Sequence, residues 1–85
     1  MEHYEKIYVA MVLNVDADGK MKPVEIEWIN GRRYEISKIL DQKNAPPRHV
    51  GSGMTVRYRI LVHGRERELY HEQFTNRWFM EKLIN

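Results

Sequence analysis

The segment Val24-Glu-Ile-Glu-Trp-Ile-Asn-Gly-Arg-Arg-Tyr-Glu-Ile36 alternates apolar and charged residues on both sides of Asn30-Gly31. Alternation with period two puts one kind of side chain on each face of a strand, and Asn-Gly accepts the positive φ that tight hairpins require. The pattern therefore predicts an antiparallel hairpin with one face that must be buried. Its register is also arguable. A two-residue loop would set Trp28 opposite Arg33 and Ile26 opposite Glu35. A three-residue loop of Ile29, Asn30 and Gly31 instead pairs Val24 with Ile36, Ile26 with Tyr34 and Trp28 with Arg32. Only the second collects the apolar set on one face, and a one-residue slip would undo it. The expected turn is type I with Gly31 left-handed in a G1 bulge.

The remaining elements read as strands too. Tyr4 to Val15 carries Ile7, Val9, Met11, Leu13 and Val15 on one face and Tyr8, Ala10 and Val12 on the other, so both faces call for cover. Asp16-Ala-Asp-Gly19 turns the chain. Met54 to Val62 alternates, with Met54, Val56, Tyr58, Ile60 and Val62 inward and Arg57 and Arg59 outward. His63-Gly64 leads into a strand from Arg65 to Glu72, pairing Tyr58 with Leu69 and Arg59 with Glu68. Phe74 to Asn85 reads either as a strand or as a short helix, and the strand agrees with every earlier element. Asp41 to Gly53, with Pro46-Pro47 and Gly51-Ser-Gly53, is the one long loop expected. Six strands in series predict one all-β domain over residues 1–85, a meander forming a small barrel or a strongly curled sheet.

Eighty-five residues with a 42% apolar fraction and nine aromatics supply a single core. A domain of this size buries about 60–70% of its unfolded surface, so its stability margin is thin. There is no cysteine, which removes disulfides and thiolate metal sites. The acidic start Met-Glu-His-Tyr-Glu lacks the basic region of a signal peptide, and the apolar run Ile7 to Leu13 is too short for a bilayer. The expected location is the cytoplasm, with no membrane partner.

The run Trp28-Ile-Asn-Gly31-Arg-Arg-Tyr34-Glu-Ile36-Ser-Lys-Ile39-Leu40-Asp41 resembles an uncharacterised family of small bacterial all-β proteins with a Trp, Gly, Tyr and Leu-Asp pattern. Glu68-Leu69-Tyr70 and Arg77-Trp78-Phe79-x-Glu81 are similar to the second half of that pattern. The resemblance implies a shared structural scaffold and brings no assigned activity with it.

Several constellations carry chemistry on paper. Asn14 to Glu25 has the oxygen-ligand spacing of an EF-hand calcium loop, yet strands replace the flanking helices and Lys20 and Lys22 stand where the dication would sit. A hairpin turn is the expected structure there. His3, His49, His63 and His71 lack metal-ligand spacing, and Gly51-Ser52-Gly53 lacks the strand–turn–helix setting of a nucleophile elbow. No enzyme, metal site or cofactor is expected.

Net charge is only +2, but eight of the fourteen basic residues are Arg. Arg57, Arg59, Arg65 and Arg67, with Tyr70 as an aromatic platform and Arg48 in the long loop, make the candidate nucleic-acid surface. Interleaved Glu66, Glu68 and Glu72 offer the competing outcome of cross-strand ion pairs. A second candidate surface comes from the terminal strands. If they pair, Tyr8, Val12, Phe79 and Leu83 form an outer apolar patch, to be covered by a homodimer partner or another protein. The expected function is a small non-catalytic binding module, contacting nucleic acid through arginines or acting as a structural adaptor through that patch.

Overall fold

The computed structural model of the protein describes residues 3–45 and 54–84, with side chains through residue 82. Among the described residues seven strands occur: β1 (His3–Val15), β2 (Met21–Glu27), β3 (Arg33–Glu35), β4 (Lys38–Ala45), β5 (Thr55–Val62), β6 (Arg65–Glu72) and β7 (Arg77–Ile84). They form one antiparallel sheet in the order β3-β2-β1-β7-β6-β5-β4, curled into a half-barrel. No helix is present among the described residues, so the last element is the expected strand. None of the described residues forms a helix long and apolar enough to cross a membrane.

Turn chemistry sets the local registers as the sequence implies. Ile26 faces Tyr34, and Trp28 N–H donates to Arg32 O across the loop at 2.8 Å. Gly31 has φ +84° and its N–H closes the turn on Trp28 O. At the next hairpin Tyr58 faces Leu69 and Arg59 faces Glu68. His63 and Gly64 both have positive φ there, as a two-residue hairpin loop matching the strand twist demands.

Two expectations need correction. The described residues form seven strands rather than six, because the third breaks at Ile36-Ser37. Ile36 N–H still bonds to Val24 O on β2, but Ser37 N–H donates to Leu61 O on β5 at 3.0 Å. Those two residues thus carry the chain from one edge of the sheet to the other. The sheet must curl to bring its edges together at that point, and this end of the half-barrel is closed by the backbone. The second correction follows: Asp41 to Ala45 belongs to β4, paired with β5, rather than to a loop. The rest of the expected loop, with Arg48, lies outside the described residues.

Ile26, Ile36, Val56, Tyr58, Ile60, Leu69 and Trp78 fill the concave face, with Ile60 and Leu69 fully buried. The convex face holds a second cluster. Tyr8 lies opposite Phe79, and Phe79 opposite Tyr70. The Phe79 ring stacks on Tyr70 at 5.0 Å and meets Tyr8 edge-on at 5.9 Å, so Tyr70 and Phe79 are buried on the outside of the sheet. Lys6 reaches over Phe79 to an ion pair with Glu72.

The ladder between β6 and β7 is three residue pairs long, against eight between β5 and β6 and seven between β1 and β7. The first half of β6 and the last half of β7 therefore splay apart on the side of the closed end.

Candidate functional site

Alternation along β6 decides where the arginines point. Leu69 is in the concave core, so Arg67 and Arg65 share its face, while Glu66, Glu68 and Tyr70 point to the convex side. Arg57 and Arg59, paired with Tyr70 and Glu68, are convex as well. The arginines singled out from the sequence are therefore divided between two faces and do not form one surface.

On the convex side Arg59 is held between two carboxylates, Asp41 at 3.2 Å and Glu66 at 2.6 Å. Its pKa is raised by the hydrogen bond and charge of Glu66 and then by Asp41. Arg57 is half-buried beside Tyr70, and its Nε has no hydrogen-bond partner among the described residues. The Tyr70 hydroxyl donates to Glu68 at 2.7 Å. Burial first, then Glu68 and Glu81, push its pKa far above the ordinary phenol range. Tyr70 is thus part of a closed convex network, and its ring face is taken by Phe79.

The apolar patch of the terminal strands is also partly closed. Strands β1 and β7 do pair, and they align Tyr8 with Phe79. Phe79 is only 3% exposed, under Lys6, Tyr8 and Tyr70. The Arg77 guanidinium lies 3.4 Å from the Tyr8 ring centroid, a close cation–π contact. Val12 remains 47% exposed. Leu83 pairs through its backbone with Tyr4, and its side chain is outside the described residues.

The concave face at the closed end is different in kind. A cavity of about 570 Å³ opens there, based on Ile26, Val62 and Met80. Trp28, Tyr34 and His63 wall it, and Arg65 and Arg67 stand at its rim. Tyr34 and His63 meet edge to face at 5.7 Å. Arg67 donates to the Glu66 carbonyl, and among the described residues neither Arg65 nor Arg67 has a carboxylate within ion-pair distance. An apolar floor, aromatic walls and uncompensated cations suit a planar aromatic group that carries negative charge nearby. Trp28 and Tyr34 share the apolar face of Ile26, which predicts core positions for both. At this end β6 and β7 splay apart, and that leaves both half-buried.

The calcium-like spacing does not assemble a site. One Asp16 carboxylate oxygen accepts from the N–H groups of Asp18 and Lys20, both at 2.9 Å, and so stabilises its own turn. Glu25 is placed in β2 opposite Val12 and pairs with Arg33. No group of three His, Asp or Glu with metal-binding geometry occurs among the described residues. Comparison with protein-family models, with curated proteins and with solved structures gives no match for this chain.

Proposed function

We propose that the protein is a small binding module that contacts single-stranded nucleic acid at the closed end of its concave face. Trp28, Tyr34 and His63 serve as stacking surfaces for a base, and Arg65 and Arg67 hold the phosphates on either side. The observation that carries this assignment is the contrast between arginines. Arg59 is saturated by Asp41 and Glu66, whereas the two at the cavity rim have no acidic partner among the described residues.

The test is fluorescence anisotropy of labelled single- and double-stranded oligonucleotides at 50 and 200 mM salt. Two phosphate contacts on a single strand give a log–log salt slope of about −1.4, or roughly a sevenfold loss of affinity over that range. Arg65→Glu with Arg67→Glu abolishes binding, whereas Arg57→Gln with Arg59→Gln preserves it. Binding that survives the first pair, or no binding at 50 mM salt, would reject the assignment.

A second function rests on Tyr4 and Val12, which remain 38% and 47% exposed along β1. It makes the protein an adaptor that docks through its terminal strands. In that case Val12→Glu removes association and the arginine changes do not.

A further inference from the structure

The β6–β7 ladder ends at Tyr70–Phe79, and the charges beyond it account for the splay. The same register carried outward sets Leu69 opposite Met80, then Glu68 opposite Glu81, then Arg67 opposite Lys82. The last two are like-charge pairs, and like charges directly opposite one another destabilise an antiparallel ladder. Backbone geometry agrees. Gln73 N–H bonds to Met54 O on the β5 side, and Glu72 O accepts from Asn76 N–H on the β7 side. Even-numbered residues of β6 therefore turn their main-chain groups toward β7. Glu66 and Glu68 have no ladder pair there, and the Glu66 carbonyl takes a bond from Arg67 Nη1 at 3.3 Å instead.

The two like-charge pairs differ in what surrounds them. On the convex side Tyr70 donates to Glu68, and Lys6 faces Glu81 from β1. On the concave side Lys82 follows Met80 and Trp78 by alternation, so it shares a face with Arg67. Both cations are exposed, and neither has an ion-pair partner among the described residues. Glu5 faces Lys82 from β1 without reaching ion-pair distance. The concave pair is thus the unrelieved one, at the edge of the cavity that Arg67 and Met80 help to line.

We infer that Arg67 and Lys82 form a phosphate site across this gap, and that a phosphate group bound between them draws β6 onto β7. An anion shared by two cations replaces one repulsive contact with two attractive ones. The guanidinium fork engages two phosphate oxygens and the ammonium a third. With the repulsion removed, Glu68 and Glu81 can exchange main-chain hydrogen bonds. Arg67 and Lys82 then become a non-hydrogen-bonded pair, the kind whose side chains lie closest. Only the source of that phosphate, a strand leaving the base cavity over β6, rests on the nucleic-acid reading; the site itself accepts any accessible phosphoryl group.

Amide hydrogen exchange of the full chain at Glu68 and Glu81 reads the gap. The probes are inorganic tripolyphosphate and a single-stranded thymidine oligonucleotide, each compared with sodium chloride at equal ionic strength. Exchange at both amides is expected to slow by about fivefold with either phosphate source, the upper end for one cross-strand charge interaction, and not with chloride. Arg67→Glu sets an acid opposite Lys82, so it should protect both amides without phosphate and remove the response. Glu81→Gln should raise the starting protection and keep the response. No slowing by either phosphate source, equal slowing by chloride, or an Arg67→Glu gap as open as before would overturn the inference. Oligonucleotide binding by anisotropy with unchanged exchange at Glu68 and Glu81 would also overturn it, while leaving the nucleic-acid reading in place. Slowing by tripolyphosphate alone would support the phosphate site and reject a nucleic-acid strand as its ligand.

Discussion

Replacing Lys6 by Met tests the least ordinary element of this fold, an ion pair buried on the outside of a sheet. The Lys6 Nζ lies 2.5 Å from Glu72 Oε2, with side-chain exposures of 15% and 4%. The same oxygen accepts from the Tyr8 hydroxyl at 3.1 Å, and Thr75 donates to the other at 2.8 Å. Methionine keeps most of the apolar stem against Phe79 and removes only the charge. Glu72 is then left as a covered carboxylate with hydroxyl donors and no ammonium. Breaking a buried pair from one side costs about 3–5 kcal/mol. Here the cover is a single layer of convex side chains, so the expected loss is at the lower end, about 3 kcal/mol. For a domain of this length that lowers Tm by roughly 12–24 °C, at about 4–8 °C per kcal/mol. Urea unfolding followed by tryptophan fluorescence measures it, because Trp78 is buried and stacked on His71 at 4.4 Å. The double change Lys6→Met with Glu72→Leu should recover most of the loss, since an apolar pair of similar volume escapes the desolvation cost. A loss below about 1 kcal/mol at constant m, or additive effects of the two single changes, would refute the reasoning. The pair would then behave as a surface salt bridge.

Three further outcomes are expected. Burial pushes the Glu72 pKa up, but hydrogen bonds from Lys6, Thr75 and Tyr8 outweigh it and the net direction is down. Its stabilising contribution is therefore complete above the unfolded value of about 4.3 and is lost as pH falls through the lower folded value; acid titration of the urea midpoint should steepen below about pH 4.3, and Glu72→Gln should remove that steepening. Burial raises Tyr58, and burial with Glu68 and Glu81 raises Tyr70. These two of the five tyrosines should stay protonated above the ordinary phenol pKa of about 10, visible as a missing fraction of the ultraviolet tyrosinate signal until alkaline unfolding. Gly31 holds φ +84°, so Gly31→Ala should cost about 1–2 kcal/mol in chemical denaturation, although a Cβ there would meet nothing within 4 Å.

What could be read from the chain alone is what short-range chemistry controls. Both hairpin registers, the left-handed Gly31 and the extended conformation of Arg77 to Ile84 follow from alternation and turn residues within a few positions of one another. The same alternation separates Arg65 and Arg67, on the face of Leu69, from Arg57 and Arg59, so the single arginine surface expected from the sequence conflicts with its own period-two pattern. Other features depend on residues far apart in the chain. That Ile36-Ser37 crosses from edge to edge is decided by Leu61, and that Phe79 is covered is decided by Lys6 and Glu72, 66 positions apart. Whether Trp28 and Tyr34 fill a core or wall an open cavity depends on how far the sheet curls and where β6 leaves β7. A period-two pattern says which face of a strand is apolar. Only the packed sheet says what lies against that face, because burial is a property of the surfaces that meet.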